Sequence, residues 1–323
     1  MPIRVAITLG DPRGIGPEIV ERVVADPPPG ADLVVVGPDE LVGGYADGVG
    51  VGSLRGAEGA GWREGLADQG LLPPPSSLLP ETAGRLAGLA VEKAVQLVRA
   101  GDVDAIVTGP AEKYALHLAG YRYPGHTEWL AALAGDVDVA MMLAAEALRV
   151  VLVTTHVPLS RVTQLLTTQL VVRIGRVTLR ALRDWFGIAE PRLVVCAVNP
   201  HAGEGGLFGD EDTAVLVPAA RQLGAAGPLP ADTVFLKASR GEFDAVLAPY
   251  HDVGMTAIKM AAFGSAVNVT LGLPFVRTSP DHGTAFDIAG KGIADSSSMR
   301  KAVELAVELA NRRRVIDSHG SPR

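Results

Sequence analysis

Runs of apolar, β-branched residues alternate along this chain with stretches whose apolar positions recur at helical spacing. Helices are predicted over residues 81–100, 170–185 and 299–313 and from near 17 and 210, and strands over residues 5–9, 33–36, 105–107, 139–143, 150–153, 193–198, 245–248 and 266–270. Strands that alternate with helices predict βαβ units, and continuous apolar runs are typical of parallel strands buried on both faces. The expected fold class is therefore α/β with a mostly parallel sheet.

The length and composition suit a two-domain enzyme. A chain of 323 residues is longer than one typical hydrophobic core requires, so we expect two domains. Hydrophobic residues make up 48% of the chain and aromatic residues only 5%, a balance typical of a compact α/β enzyme. Residues 43–80, rich in glycine, proline and serine, are expected to be irregular or peripheral.

Charge and hydropathy exclude several classes of partner. The formal net charge of −7 provides no basic surface for nucleic acid. No apolar run reaches the ~18 residues of a membrane span, and the first residues lack the design of a signal peptide. The single cysteine, Cys196, falls in a predicted strand and is interpreted as a small buried hydrophobic residue. We therefore expect a cytoplasmic protein that binds neither nucleic acid nor a membrane.

Three of the seven histidines, His156, His201 and His251, each lie within a few residues of the end of a predicted strand. Open α/β proteins bind ligands at the carboxyl ends of parallel strands, so three imidazoles would meet in one place. Three imidazole ligands leave a fourth position on a zinc-like ion open for a substrate oxygen. The pattern predicts a catalytic metal, although one such histidine alone is more often a hydrogen-bonded loop residue.

Polar residues that suit an anionic ligand cluster around other predicted strands. Arginine pairs with phosphate through two hydrogen bonds, and lysine acts as a point charge. Taken alone, each residue is more typical of a solvated or structural role. The candidates are Lys113, His126, Thr127, Lys259, Asn268 and Arg277.

Three residues are candidates for proton transfer. Asp252 directly follows His251 and could orient that histidine, offset the charge of an ion or accept a proton, and it could equally cap the following helix. Asp232 lies in a Pro-Ala-Asp-Thr segment, and Lys113 lies in the cluster described above. The spacing does not choose among them.

The first predicted strand ends in a glycine-rich loop, Gly10–Glu18, ahead of a helix. Free amides at the start of a helix can receive an anion, but a purely structural turn explains the loop equally well. The G-x-G-x-x-G spacing of the common dinucleotide-binding fold is absent.

Residues 282–294 closely resemble the adenosine-binding loop of isopropylmalate and isocitrate dehydrogenases, and Gly10–Glu18 is similar to their amino-terminal loop with a short insertion. Those enzymes bind NAD outside the Rossmann motif. The resemblance implies that His282, Gly283 and Asp287 bind the cofactor. It also implies that Asp287 accepts hydrogen bonds from the adenosine ribose, which favours NAD over NADP.

A fuller resemblance covers nearly the whole chain and is to the 4-hydroxythreonine-4-phosphate dehydrogenase family of pyridoxal phosphate biosynthesis. It implies a two-domain isocitrate/isopropylmalate dehydrogenase-like fold with parallel or mixed sheets and an active-site cleft between the domains. The implied domains are residues 1–128 with 275–323 on the cofactor side, and residues 129–274 for metal binding and dimer formation. The matching motifs are residues 10–18, 108–110, 125–128, 154–156, 199–206, 227–233, 250–252 and 268–284.

The same resemblance assigns roles to the candidate residues. It implies one divalent ion (zinc, magnesium or cobalt) in a site that both subunits of a homodimer assemble, and a phosphorylated small-molecule substrate. The implied metal ligands are His156, His201 and His251. The implied substrate-binding residues are His126, Thr127, Lys259, Asn268 and Arg277.

The implied reaction is NAD(P)-dependent oxidation of 4-phosphohydroxy-L-threonine, with decarboxylation to 3-amino-2-oxopropyl phosphate. A metal ion on the C3 hydroxyl lowers the pKa of that group, so that hydride can leave for the nicotinamide and loss of CO₂ can follow. Asp252, Asp232 and Lys113 stay open as candidates for the general base.

One departure from the family pattern bears on the substrate, because Val253 stands where the family commonly has glutamine. The alternatives in the family are 4-phospho-D-threonate and 4-phospho-D-erythronate, whereas His126, Thr127 and Arg277 argue against the dihydrodiols of distant relatives. In other classes, the alternatives are a phosphate acyltransferase and a metal- or solute-binding protein. The three histidines and residues 282–294 count against the first, and the lack of an export signal counts against the second.

Overall fold

The computed structural model describes residues 1–54, 77–262 and 264–318. The chain divides into two compact units. One consists of Met1–Leu133 with Phe275–Asn311, and the other of Ala134–Pro274 with the residues from Arg312 onward. No helix in the described ranges combines the length and the apolar character that crossing a membrane requires.

The strands are short, and most are buried along their length. In chain order they are β1 Ile3–Thr8, β2 Ala31–Gly37, β3 Gly48–Gly50, β4 Ala105–Thr108, β5 Ala140–Ala144, β6 Arg149–Leu152, β7 Leu193–Cys196, β8 Ala226–Leu229, β9 Ala245–Ala248, β10 Val267–Leu271 and β11 Val276–Pro280.

The helices vary widely in length. In chain order the α-helices are α1 Gly16–Ala25, α2 Asp39–Val42, α3 Pro80–Ala100, α4 Lys113–Leu118, α5 His126–Leu133, α6 Leu159–Leu165, α7 Thr168–Asp184, α8 Val217–Leu223, α9 Ala231–Ser239, α10 His251–Ala262 and α11 Ser297–Ser318. A segment of 3₁₀ type, Pro200–Gly206, and a π-helical segment, Asp212–Leu216, lie between β7 and α8.

In the first unit the strands lie in the order β3-β2-β1-β4-β11, and each neighbouring pair is parallel. Strand β1 is central, and Val5 and Ile7 on it are fully buried. The long helix α3 begins with Pro80, which suits the first turn, and ends before Gly101, whose positive φ of 79° favours glycine. Its buried face includes Leu86.

In the second unit the strands lie in the order β10-β5-β6-β9-β7-β8. Strand β5 is antiparallel to both of its neighbours, whereas β6, β9 and β7 lie side by side and parallel. Val150, Val194 and Val246 on these three parallel strands are fully buried in one apolar core. Because the three strands run in the same direction, their carboxyl ends share one edge of the sheet.

The predicted α/β elements are present, with several differences. Strand β11 was not predicted because Arg277, Thr278 and Ser279 make it polar, although all three are buried. Helix α10 begins at His251, so Asp252 lies in its first turn and is not its N-cap. The helix predicted from near 210 begins as the π-helical segment. Of the segment predicted to be irregular, residues 55–76 lie outside the described residues.

Candidate active site

Two of the predicted metal ligands lie next to each other at the carboxyl ends of β6 and β9. The segments after these strands are joined because Thr154 donates from its backbone N–H and from Oγ1 to the carbonyl oxygen of Pro249, at 3.3 and 2.8 Å. Beyond this junction the ring centroids of His156 and His251 are 5.6 Å apart. Zinc–nitrogen bonds are about 2.0–2.1 Å long, so this ring separation suits two imidazole ligands of one small ion.

A carboxylate orients one of these rings. The Nδ1 atom of His251 lies 2.7 Å from Oδ1 of Asp252, and the Asp252 side chain is 86% exposed. An N–H group at Nδ1 that donates to the carboxylate leaves Nε2 with its lone pair available for a metal ion. The arrangement gives Asp252 an orienting role toward the ring.

His201 lies in a strained loop that follows β7. The φ angles of His201, Ala202 and Glu204 are 52°, 58° and 40°, in the left-handed region that residues other than glycine rarely adopt. The buried carboxylate of Asp212 holds the start of this loop, because it accepts hydrogen bonds from the backbone N–H groups of Val198 and Asn199 at 2.9 and 3.0 Å. Strain of this kind is typical of functional loops.

The structure does not gather a complete metal site within one chain. The ring of His201 packs beside Phe208, at 6.2 Å between centroids. Among the residues that the structure describes, no group of three or more histidine, cysteine, aspartate or glutamate side chains is placed to hold a metal ion. The three predicted imidazoles are chemically suitable ligands for a divalent ion, and two of them, those of His156 and His251, are adjacent.

The first unit holds a cluster of basic side chains built on β11, α4 and α5, in which Arg277 is buried, His126 is partly buried and Lys113 is exposed. Arg277 on β11 is 3% exposed, and its Nη2 atom donates to Oγ1 of Thr108 at the end of β4. Burial lowers the pKa of Arg277 to about 10, so the guanidinium stays charged at neutral pH. Burial, and then the charges of Arg277 and Lys113, lower the pKa of His126 to about 3. The His126 imidazole is therefore neutral.

This cluster has the features of an anion site. The buried Nε2 atom of His126 has no hydrogen-bond partner among the described residues. His126 and Thr127 form the first turn of α5, where unbonded backbone N–H groups favour a negative charge. A buried polar atom without a partner is costly unless a ligand satisfies it, so the cluster fits a phosphate group.

The remaining predicted residues are distributed over both units. Asn268 on β10 has a buried Oδ1 atom without a partner among the described residues, and Lys259 is exposed in the last turn of α10. Asp232 is exposed in the first turn of α9. In the first unit, Asp287 and Gly283 are exposed.

The two loops assigned to the cofactor are joined within the first unit. The backbone N–H of Ile15 donates to the carbonyl oxygen of Thr284 at 2.9 Å. A cavity of about 720 Å³ lies beside both loops, and its lining includes Pro12, Gly14, Gly290 and Gly292. This volume lies in the range of small-molecule sites. In the same loop, Nδ1 of His282 lies 3.0 Å from the carbonyl oxygen of Gly283, and its buried Nε2 atom has no partner among the described residues.

Two residues with structural consequences for these sites were missed by the sequence reasoning. Asp212 fixes the loop of His201, and Arg13 binds both Asp11 and Glu112. In the sequence, Asp212 is distinguished only by its position after a glycine-rich loop, and carboxylates at such positions are usually solvated.

Comparison with known proteins identifies the family. The family model described as "Pyridoxal phosphate biosynthetic protein PdxA" matches residues 74–306. The chain belongs to the PdxA family. This result confirms the resemblance found in the sequence.

Relatives within the PdxA family carry two different names. The chain is 46% identical over 322 residues to the 4-hydroxythreonine-4-phosphate dehydrogenase of Beijerinckia indica subsp. indica, with 94% of each chain covered. It is 43% identical over 326 residues to the D-threonate 4-phosphate dehydrogenase of Salmonella typhimurium, with 95% of this chain and 98% of the relative covered.

A solved structure supports the same assignment. The crystal structure of 4-hydroxythreonine-4-phosphate dehydrogenase from Klebsiella pneumoniae matches with a TM-score of 0.79 and 39% identity, over 95% of this chain and 99% of that chain. The predicted α/β fold class is confirmed.

Proposed function

We propose that this PdxA-family protein catalyses the NAD-dependent oxidation of 4-phosphohydroxy-L-threonine, with decarboxylation to 3-amino-2-oxopropyl phosphate. The main support for the proposal is the pair of His126 and Arg277, which combines a neutral imidazole, whose buried Nε2 atom lacks a partner among the described residues, with a permanent positive charge. A phosphate group would satisfy both. The names of the relatives support the substrate class.

The substrate phosphate is bound by side chains that need no change of charge on binding. Arg277 offers N–H groups in the fork geometry that matches phosphate oxygens. The neutral His126 donates from Nε2, and Thr127 adds a hydroxyl at the start of α5. Lys259 and Asn268 are proposed as further substrate-binding residues.

The proposed metal ligands are His156, His201 and His251. When bound, a divalent ion (zinc, magnesium or cobalt) polarises the C3 hydroxyl of the substrate and lowers its pKa. His156 and His251 are adjacent in one chain and His201 is not. We therefore propose that two copies of the chain form a homodimer, in which each site takes His201 from the partner copy.

Proton transfer from the C3 hydroxyl is assigned to one of three side chains. Asp252 contacts the ring of His251, and Asp232 is exposed on α9. Lys113 is close enough to His126 for its charge to lower the pKa of that imidazole. The three candidates are tested one at a time with the variants Asp252→Asn, Asp232→Asn and Lys113→Met. The general base is the one whose removal lowers kcat and abolishes the acidic limb of the pH profile, where the base becomes protonated, without weakening metal binding.

The cofactor is proposed to lie along residues 282–294. Asp287 accepts hydrogen bonds from the ribose hydroxyls of NAD, and its carboxylate repels the 2′-phosphate of NADP. An Asp287→Ser variant would then use NADP more efficiently, and an unchanged ratio of kcat/KM for the two cofactors would contradict this role.

A second candidate substrate is 4-phospho-D-threonate, or 4-phospho-D-erythronate. Val253, which stands where the family commonly has glutamine, is partly buried and packs against the apolar core of the second unit. It therefore brings no amide to the segment next to His251. The D-threonate 4-phosphate dehydrogenase that is 43% identical to this chain supports 4-phospho-D-threonate as the second candidate.

The test is an assay of NADH production with the three phosphorylated hydroxy acids, each with and without a metal chelator. We expect the highest kcat/KM with 4-phosphohydroxy-L-threonine and loss of activity with chelator. A preference for 4-phospho-D-threonate would establish the second candidate. Activity with none of the three, in metal-loaded protein, would exclude the proposed substrate class.

A further inference from the structure

Arg13 connects three segments of the first unit through a single side chain. Its Nε and Nη2 atoms donate to the two carboxylate oxygens of Asp11, at 3.0 and 2.7 Å, and Nη2 also donates to Glu112 at 2.6 Å. The guanidinium carbon lies 5.0 Å from the centroid of the Phe286 ring. Arg13 therefore links the amino-terminal loop, the segment after β4, and residues 282–294.

The burial of these groups makes the link firm. Asp11 is fully buried, the Arg13 side chain is 12% exposed and that of Glu112 is 32% exposed. A buried carboxylate is strongly unfavourable without its cation, so the guanidinium cannot readily leave this position. A cation held in place over a ring attracts that ring, and Phe286 is thereby restrained.

The loop at residues 282–294 is attached at both ends to the amino-terminal segment. At its far end, Glu18 accepts a hydrogen bond from the backbone N–H of Ala294 at 2.9 Å, and Arg22 donates to the carbonyl oxygen of Ala294 at 2.7 Å. At its near end, the backbone bond from Ile15 to Thr284 and the cation–π contact of Arg13 hold the loop. Asp287, the proposed ribose acceptor, directly follows the ring that Arg13 restrains.

We propose that Arg13 is a positioning residue, which holds residues 282–294 in the conformation that binds the dinucleotide. This inference rests on the proposed function, since it takes the loop as the cofactor site. Loss of the guanidinium would let Phe286 and Asp287 move, so the free energy of dinucleotide binding would become less favourable. The described hydrogen bonds of Arg13 go to Asp11 and Glu112 and not to His126 or Arg277, so the phosphate affinity of those two residues should be unchanged.

Two substitutions test the link from opposite sides. Arg13→Lys retains a cation beside Asp11 but removes the planar fork, and Phe286→Leu removes the ring while leaving the ion pairs of Arg13 intact. The matched control is Arg300→Ala, which removes an arginine that pairs with Asp26 and Glu304 on the surface of the same unit. Each variant is measured in the metal-loaded protein.

The expected result separates cofactor binding from substrate binding. Both test variants should raise the Kd and KM for NAD about tenfold, with the KM for the phosphorylated substrate changed by less than about twofold. Hydrogen–deuterium exchange of residues 282–294 should be faster in both variants. The Arg300→Ala control should match the wild type in all of these measurements.

Several results would overturn the inference. These are unchanged exchange of residues 282–294, faster exchange with wild-type affinity for NAD, and an equal rise in both KM values. A wild-type protein that binds no dinucleotide would overturn the proposed function instead, and the exchange rates would still decide whether Arg13 holds the loop.

Discussion

Burial lowers the pKa of two neighbouring basic side chains, His126 and Arg277, but makes only the imidazole neutral at pH 7. Burial disfavours the charged form of both, but arginine starts from a pKa so high that it stays ionised at about 10, whereas the imidazole is neutral with a pKa of about 3. A neutral donor beside a fixed cation binds a phosphate dianion over a wide pH range. The proposed phosphate affinity therefore does not depend on protonating His126.

The lowered pKa of His126 predicts a loss of stability in acid. Between about pH 6.5 and its folded pKa of about 3, the unfolded chain binds a proton at this imidazole and the folded chain does not. The free energy of unfolding should therefore fall as the pH decreases through this interval, by up to about 1.4 kcal/mol per pH unit, and stay constant above it. Urea denaturation of the wild type and of His126→Asn between about pH 7 and pH 4 measures this difference.

In that comparison the variant should show the shallower dependence on pH. Carboxylates titrate in both proteins, so only the difference between the two curves reports on His126. Parallel curves would show that the imidazole is protonated as easily in the folded protein as in the unfolded chain.

Arg277→Lys separates charge from geometry at the phosphate cluster. The variant keeps a cation on β11 but cannot present two parallel N–H groups to a phosphate. We expect the KM for the phosphorylated substrate to rise by about tenfold to 100-fold, with the KM for NAD unchanged. Arg192→Lys, at an exposed ion pair with Asp244, is the matched control. An Arg277→Lys enzyme with wild-type KM would place the phosphate elsewhere.

Among the secondary-structure elements, the sequence predicts the strands that are apolar because they are buried. It does not predict features that depend on contacts between residues far apart in the chain. Strands β6, β7 and β9 are recognisable because burial on both faces makes them apolar, apart from Arg149 at the start of β6. Strand β11 is not, because its polar residues are satisfied by specific partners, as when Thr278 donates from Oγ1 to the carbonyl oxygen of Ala302 at 2.7 Å. The antiparallel direction of β5 likewise depends on pairing with β10, far along the chain.

The contrast between local patterns and distant contacts also explains which site residues could be predicted from the sequence. His156 and His251 follow from the strand ends that precede them, and the structure brings their rings together. Arg13 binds Glu112, 99 residues away, and Asp212 binds the backbone of Val198, 14 residues away. Neither partner is visible in the local pattern, so these residues look like ordinary charged loop positions.

The loop after β7 stores strain that one substitution should release. Ala202 has a φ of 58°, where alanine is disfavoured by about 1–2 kcal/mol and glycine is not. Ala202→Gly should therefore raise the free energy of unfolding, by up to about 1 kcal/mol after the greater entropy of unfolded glycine is subtracted. The control Ala261→Gly, at an exposed position in the last turn of α10 where φ is not positive, should lower it, by up to about 1 kcal/mol. Urea denaturation measures both, and a destabilised Ala202→Gly protein would show that the loop is not strained.

At the scale of the whole molecule, the two units carry different parts of the proposed chemistry. The first unit contains the phosphate cluster and the proposed cofactor loop, and the second contains the three histidines. Within a chain the second unit brings only His156 and His251 together. The proposed metal site would therefore be complete only if a second copy of the chain supplied the third imidazole.

Mixed dimers decide whether two copies share the site. His201→Ala and His251→Ala homodimers should each be inactive, because every site lacks one ligand. If His201 and His251 of one site come from different copies, a dimer with one chain of each variant has one intact site and one that lacks both ligands. Random mixing of subunits makes half of the dimers mixed, so a refolded equal mixture should regain about a quarter of the wild-type kcat per chain. The measurement is NADH production by the mixture and by each variant alone, with sedimentation to verify the dimers. If all three ligands came from one chain, every mixed dimer would lack a ligand in each site, and the mixture would be as inactive as its components.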